Sequence, residues 1–333
     1  MSRAPTRLQQ YIPSFSLFWV GMVHDYWMYV SEPDAVRDWL PGVRAVLSFF
    51  ARYQKADGSL DRLPWWRIID ATPGWEGGAP PQEADGSSAP YDLLLLQAHQ
   101  WAAEMEAALG SKGLAREYAA MARRLRATIR RLYWDSGRRL YADTPARTVF
   151  SQHTNSLVVL AGLERGNAAR ALMERTLSDP SLVPCALFFK FYLHAAANKA
   201  GLGDRYLDLL APWRAMLAQG FTTWPEFPDY PGRSSRSDCH AWSAHPNFEI
   251  FRTVLGVDTA APGFRRVLVR PFLGRLREAS GEIAHPDGVV RVRLQRAGEG
   301  LEAEVELPEG VGGDVEWRGR KATLPPGRTR VRL

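Results

Sequence analysis

Glu226 lies in the stretch from Phe221 to Pro246, FTTWPEFPDYPGRSSRSDCHAWSAHP, which gathers carboxylates, imidazoles, aromatic rings and prolines between two segments of helical periodicity. A carboxylate flanked by Trp224 and Phe227 is partly shielded from water, a setting that suits proton transfer better than solvation. Glu226 is therefore the first catalytic candidate, and the whole stretch reads as an active-site loop. Cys239 beside His240 suggests a thiol–imidazole pair, but adjacent side chains rarely face each other and no third orienting group is evident. His240 reads instead as a ligand-binding or core histidine. His153 and His245 read as hydrogen-bonding loop histidines, since no HxH or HExxH spacing offers a metal site.

Two further stretches could contact a ligand. Leu63 to Ser88, LPWWRIIDATPGWEGGAPPQEADGSS, is too rich in Pro, Gly and Trp for a helix and too long for an idle connector. Asp70 after Trp65 and Trp66 would be a polar anchor beside a stacking platform, the arrangement a hydroxyl-rich ligand requires. Gly74 to Gly78 lacks the following Lys-Ser/Thr of a phosphate loop. Phe150 to Asn155 places several hydrogen-bonding side chains at a helix start, and capping accounts for part of that pattern.

The elements that must hold these loops are mostly helices. Val36, Leu40, Val43, Leu47 and Phe50 fall on one face at helical spacing; Leu94, Ala98, Trp101, Ala102, Met105 and Leu109 repeat the pattern, and Tyr118, Met121, Leu125, Ile129 and Leu132 give a third helix. Further helices are expected over 15–29, 155–164, 168–177, 185–200, 205–217 and 247–255. Alternately short and long connections suggest paired hairpins around a common axis. After Pro262-Gly263 the period changes to two. Val290, Val292 and Leu294 alternate with arginines, and Leu301, Ala303, Val305 and Leu307 with glutamates, as half-buried antiparallel strands do. Turn signals at Asp287-Gly288, Glu299-Gly300, Gly312-Gly313 and Pro326-Gly327 make the runs short enough for a small sandwich. The expected division is a helical domain over residues 1–258 and a β-sandwich over 259–333.

Composition narrows the classes. A chain of 333 residues exceeds one ordinary core, and 46% hydrophobic with 23% charged residues describes a globular protein. The 12 tryptophans suit a sugar cleft or a large helical core equally. The net charge of +6 comes from scattered residues, nearly all Arg, with no aromatic-interleaved basic run, which argues against a nucleic-acid partner. The cysteines Cys185 and Cys239 match no zinc or disulfide pattern. No charged and apolar leader follows Met1 and no segment is apolar enough to span a bilayer, so the expectation is a cytoplasmic protein without a membrane partner.

Five separated motifs, IPSFSLFWVGMVHDYWMY from Ile12, LPWWRIID from Leu63, FSQHTNSLVVLAGL from Phe150, TTWPE from Thr222 and SDCHAWSAHP from Ser237, occur in an order that resembles the bacterial α-L-rhamnosidases of glycoside hydrolase family 78. PGFRRVLVRPFLGRLREASGEIAHPDGVVRV, from Pro262, resembles the β-domain that follows the barrel in those enzymes. The resemblance implies an (α/α)6 six-hairpin barrel, missing its first helices here, and hydrolysis of terminal α-L-rhamnosyl bonds with inversion. It implies no metal or organic cofactor and a rhamnose-containing glycoside or oligosaccharide as partner. On that template Glu226 matches the general base, His240 and Trp242 match sugar-binding positions, and Asp70 with Trp65 and Trp66 matches a cleft loop. In relatives that loop carries an Asp-Trp pair; here Ala71 replaces the Trp.

An inverting glycosidase needs a second carboxyl group, about 6.5 to 9.5 Å from the first. The resemblance places it upstream of the part matching Tyr11, and SRAPTRLQQ contains no carboxylate. The general acid is thus expected to precede residue 1. Asp25, Asp85, Asp229 and Asp238 are the substitutes weighed: Asp229 and Asp238 lie on the same loop as Glu226, and Asp25 reads as a structural partner for an Arg. Three readings stand: an α-L-rhamnosidase catalytic region, an inactive fragment that retains a carbohydrate-binding cleft, and a six-hairpin glycosidase acting on another sugar.

Overall fold

The structure, a computed structural model, describes residues 10–228 and 237–333. It divides into two units. One holds the chain up to Asp25 and from Asp34 to Ala200; the other holds Tyr26 to Pro33 and Gly201 to Leu333.

The first unit is built from α1 (Pro13–Tyr29, whose last turn is counted with the second unit), α2 (Pro33–Ala51), α3 (Ala89–Leu109), α4 (Lys112–Tyr133), a two-residue hairpin of β1 (Trp134–Asp135) and β2 (Leu140–Tyr141), α5 (Gln152–Leu160), α6 (Gly166–Ser178) and α7 (Leu187–Lys199). The buried face of α2 is Val36, Leu40, Val43, Leu47 and Phe50, the set its spacing predicts. Gly42 on that helix lets Trp19 of α1 come close, since a Cβ there would lie 2.8 Å from the indole. The residues of α3 from Ala89 to His99 are all buried, polar Asp92, Gln97 and His99 among them, because the helix packs against both α4 and α5. Ser111 caps α4, its hydroxyl accepting the Leu114 N–H.

The second unit carries α8 (Tyr206–Leu209), α9 (Ala211–Ala218), α10 (Pro246–Thr253) and eight strands. The single helix expected over 205–217 is broken at Leu210, because Pro212 has no N–H to continue the ladder and begins a new helix instead.

The strands are β3 (Val257–Ala261), β4 (Arg266–Val269), β5 (Glu278–His285), β6 (Gly288–Ala297), β7 (Gly300–Leu307), β8 (Gly312–Trp317), β9 (Arg320–Leu324) and β10 (Gly327–Arg332). They form two four-stranded sheets, ordered β10-β7-β6-β5 and β3-β4-β8-β9. Val290, Val292, Leu294, Leu301, Ala303, Val305 and Leu307 of one sheet share a core with Val267, Val269, Val315, Trp317 and Leu324 of the other. Burying each Val or Leu contributes about 1.5–3 kcal/mol, so this shared face holds the sandwich together.

Two expectations are corrected here. The sandwich is not wholly antiparallel, because β4 and β8 run parallel. Gly312-Gly313 is not a turn but the start of β8, paired with Arg266 and Val267. A Cβ on Gly313 would lie 2.5 Å from the Val267 carbonyl oxygen, so close approach of two strands, not chain reversal, requires the glycine. On the outer face of the first sheet, Glu282, Arg291, Glu306 and Arg328 lie side by side on consecutive strands, and Arg293, Glu304 and Arg330 repeat the alternation on the next row.

Candidate functional site

In the second unit, Trp224 to Glu226 is stapled to the residues from Ser237 to His240. The Glu226 N–H donates to the Ser237 carbonyl at 2.8 Å, and the His240 N–H donates to the Trp224 carbonyl at 2.7 Å. Thr223 adds a hydroxyl bond to the Asp238 carbonyl. Ser243 fixes the corner from below: its hydroxyl donates to the Pro225 carbonyl at 2.5 Å, and its own carbonyl accepts the Trp213 indole N–H at 2.7 Å. Pro225 has a fixed φ and restricts Trp224 before it, and the staples remove most of the remaining freedom.

The result is a carboxylate with little contact with water. Glu226 is 8% exposed, and its Oε2 lies 4.0 Å from Nδ1 of His240. The His240 and Trp242 rings meet edge to face at 4.8 Å. The three residues singled out in this loop are therefore neighbours. Trp213 and Ser243, which hold them, were not singled out: a tryptophan at helical spacing has only the signature of a core residue.

In the first unit, Asp70 is 1% exposed. Its Oδ2 lies 2.7 Å from Nε2 of His153 and accepts the Ala186 N–H at 2.8 Å. The His153 ring is held between Trp75, at 4.1 Å, and Phe189, at 4.6 Å. Asp70 is thus an internal anchor rather than an open one, and its partner is 83 residues away, where no local pattern signals it. Trp65 differs: it is 55% exposed, stacked at 12° on Phe49 with ring centres 5.5 Å apart, and adopts a φ of 68°. That left-handed conformation costs a non-glycine residue roughly 1–2 kcal/mol. Trp66 is half-buried, and its indole N–H donates to the Gly77 carbonyl at 2.9 Å.

Near His153, Asp143 accepts the Ser151 and Thr154 hydroxyls. Burial pushes its carboxyl up to about 6 against the pull of those hydroxyls and of His153. Burial, with the charges of Asp70 and Asp143, raises the Cys185 thiol well above its ordinary range, which disfavours the thiolate. Cys239 is exposed.

Among the weighed substitutes for the general acid, Asp85 is bound by Lys55 and Ser87, which hold it down to about 2 and keep it ionised. It lines a cavity of about 730 Å³ with Lys55, Asp57, Glu83 and Arg131 but no aromatic ring. Asp25 is exposed. Asp238 is exposed, and Asp229 lies outside the described residues. Among the described residues no group of His, Cys, Asp and Glu could hold a metal ion, and no helix is long and apolar enough to cross a membrane.

Residues 256–325 match the family described as bacterial α-L-rhamnosidase C-terminal domain. Over most of its length the chain is similar to the family 78 α-L-rhamnosidases. The rhamnosidase of Bacillus sp. GL1 superposes with a TM-score of 0.79 at 26% identity, covering 94% of this chain and 35% of that one. The α-L-rhamnosidase of Dictyoglomus thermophilum gives 0.78 at 14% identity, over 96% and 39% of the two chains. That of Streptomyces avermitilis, solved in complex with L-rhamnose, gives 0.75 at 17%, over 94% and 32%. The last two show a shared fold. This chain spans about a third of the length of these rhamnosidase relatives. A comparison with curated proteins returns no match.

Proposed function

We propose that this chain is part of an α-L-rhamnosidase that releases terminal α-L-rhamnosyl groups with inversion, its helices belonging to a six-hairpin barrel. The observation that carries the reading is the likeness to the Bacillus sp. GL1 rhamnosidase across 94% of this chain. Rhamnose bound by the Streptomyces avermitilis relative supports a rhamnose-containing glycoside as substrate.

In the proposed mechanism Glu226 takes a proton from water as the oxygen attacks the anomeric carbon, and a second carboxyl group protonates the departing oxygen. Shielding leaves Glu226 little contact with bulk water, so a water held against it can be oriented for attack. His240 and Trp242 beside it are proposed to contact the sugar, the imidazole by hydrogen bonding and the indole by packing against an apolar ring face. In the first unit Trp65 and Trp66 are proposed as glycoside contacts, and buried Asp70 as the anchor of the loop that bears them.

Release of nitrophenol from para-nitrophenyl α-L-rhamnoside tests this, using the 333-residue chain beside a version extended upstream. NMR of the first anomer released tests inversion, for which β-L-rhamnose is expected. Activity in both chains places the acid within these residues; activity only in the longer chain places it upstream. Binding of rhamnose without turnover in either favours a fragment that retains a carbohydrate-binding cleft. Absence of both turnover and binding in the two chains counts against the rhamnoside reading.

A further inference from the structure

We infer that His153 is a positioning residue for glycoside binding, acting through Asp70 on the loop that presents Trp65. The inference rests on the rhamnoside reading above and extends it to a residue that touches no sugar. His153 is fully enclosed, clamped by Trp75 and Phe189, and its Nε2 lies 2.7 Å from Oδ2 of Asp70. Asp70 is thereby tied to α5 and, through the Ala186 N–H, to the start of α7.

The same residue closes the loop on itself. The N–H groups of Ile69 and Asp70 both donate to the Gly78 carbonyl, at 3.0 and 3.3 Å, and the Trp66 indole donates to the adjoining Gly77 carbonyl. Thr72 adds a hydroxyl bond to the Pro184 carbonyl. Trp65 stands at the other end of this run, half out in solvent and in a left-handed conformation. An exposed tryptophan in an unfavourable backbone region keeps one orientation only if its surroundings over-determine it. Phe49 and Tyr11 support its ring, while the Asp70 latch supports its backbone a few residues on. The buried pair thus converts a long irregular loop into a fixed platform, and a sugar ring stacking on Trp65 meets an already ordered surface.

His153→Phe keeps an aromatic ring between Trp75 and Phe189 but removes the donor. In the 333-residue chain, amide hydrogen exchange over residues 66–78 should quicken at least about tenfold in this variant. Affinity for methyl α-L-rhamnoside, measured by calorimetry, should fall about fivefold, the size of one lost hydrogen bond. Trp65→Ala should cost as much, and the double variant no more than Trp65→Ala alone, because the histidine acts through the platform. A purely structural histidine would instead give additive losses, which would overturn the inference. Unchanged exchange in folded His153→Phe would overturn it as well.

His153→Gln, whose amide can still donate to Asp70, should restore both protection and affinity. If it behaves as a non-donor, the latch is not what orders the loop. Absence of binding by both the unaltered chain and its upstream-extended version withdraws the rhamnoside reading and the inference with it. Binding that His153→Phe leaves intact withdraws the inference alone.

Discussion

The phenolic hydroxyl of Tyr133, the last residue of α4, donates to Oδ2 of Asp92 at 2.6 Å, while Oδ1 accepts the Leu60 N–H at 2.8 Å. Burial pushes the Asp92 carboxyl up to about 7 even though these two donors and the charge of Lys55 pull it down. Burial likewise takes Asp143 up to about 6 and Glu249 up to about 7. An unfolded carboxyl group titrates near about 4. Below that pH these groups are protonated whether the chain is folded or not, and their contribution to stability is fully present. As pH rises through the folded values, the unfolded chain loses protons first and that stability is lost. Buried His99, held down to about 4, works the other way over the same window but is outweighed by the three carboxyls, so the melting temperature should fall between about pH 4 and pH 7. Asp92→Asn, whose oxygen can accept the Leu60 N–H and whose amide N–H can donate to the Tyr133 hydroxyl, should flatten that slope in a series of thermal melts.

Glu226→Gln should lower kcat by about a hundredfold or more while leaving rhamnose affinity within a factor of about two. The amide keeps the shape and the burial but cannot take a proton from water. Steady-state kinetics with calorimetric binding separates the two effects, and unchanged turnover would remove Glu226 from the mechanism.

Arg44 grips Glu106 through Nε at 2.7 Å and Nη2 at 2.9 Å, and the Ser111 N–H adds a third bond to a carboxylate that is fully buried. Arg44→Ala should cost about 1–3 kcal/mol, less than in a fully enclosed pair because the Arg44 side chain is 38% exposed and the Ser111 N–H still bonds the carboxylate. The double change Arg44→Met with Glu106→Leu should cost much less. Urea unfolding of both variants gives the comparison, and equal losses would show that the charge is not what matters.

Gly313→Ala should destabilise the second unit by about 1–3 kcal/mol by driving a methyl group into the Val267 carbonyl. Denaturant titration followed by the NMR resonance of the Trp317 indole N–H, on the same strand, reads this.

The faces of α2, β6 and β7 were legible in the sequence because a repeat of 3.6 or of two residues records which side meets the core. The break at Leu210 was equally open to reading, since Pro212 states it, but the apolar periodicity on either side masks it. The pairing of Gly313 with Val267 was not, because the same dipeptide serves a turn and a close strand contact. In the loop of Glu226, residue types alone drew attention to Glu226, His240 and Trp242, which lie within 20 residues of one another. The link between Asp70 and His153 left no trace in composition. It is made by the path of the chain between them, and neither residue has a periodic neighbour that points to the other.

The rows of alternating Glu and Arg across β5, β6, β7 and β10 contribute little as individual ion pairs, since exposed pairs are each worth at most about 1 kcal/mol. Their consequence lies at the border of the sheet. β10 is a border strand, and it carries Arg328, Arg330 and Arg332 on its outer face. If β10 of a second molecule added itself antiparallel to this one, arginine would stand opposite arginine along the seam, and like charges placed so repel. The strand that completes the sheet thus discourages its own copy from extending it, which guards a crowded solution of this protein against growth into ribbons.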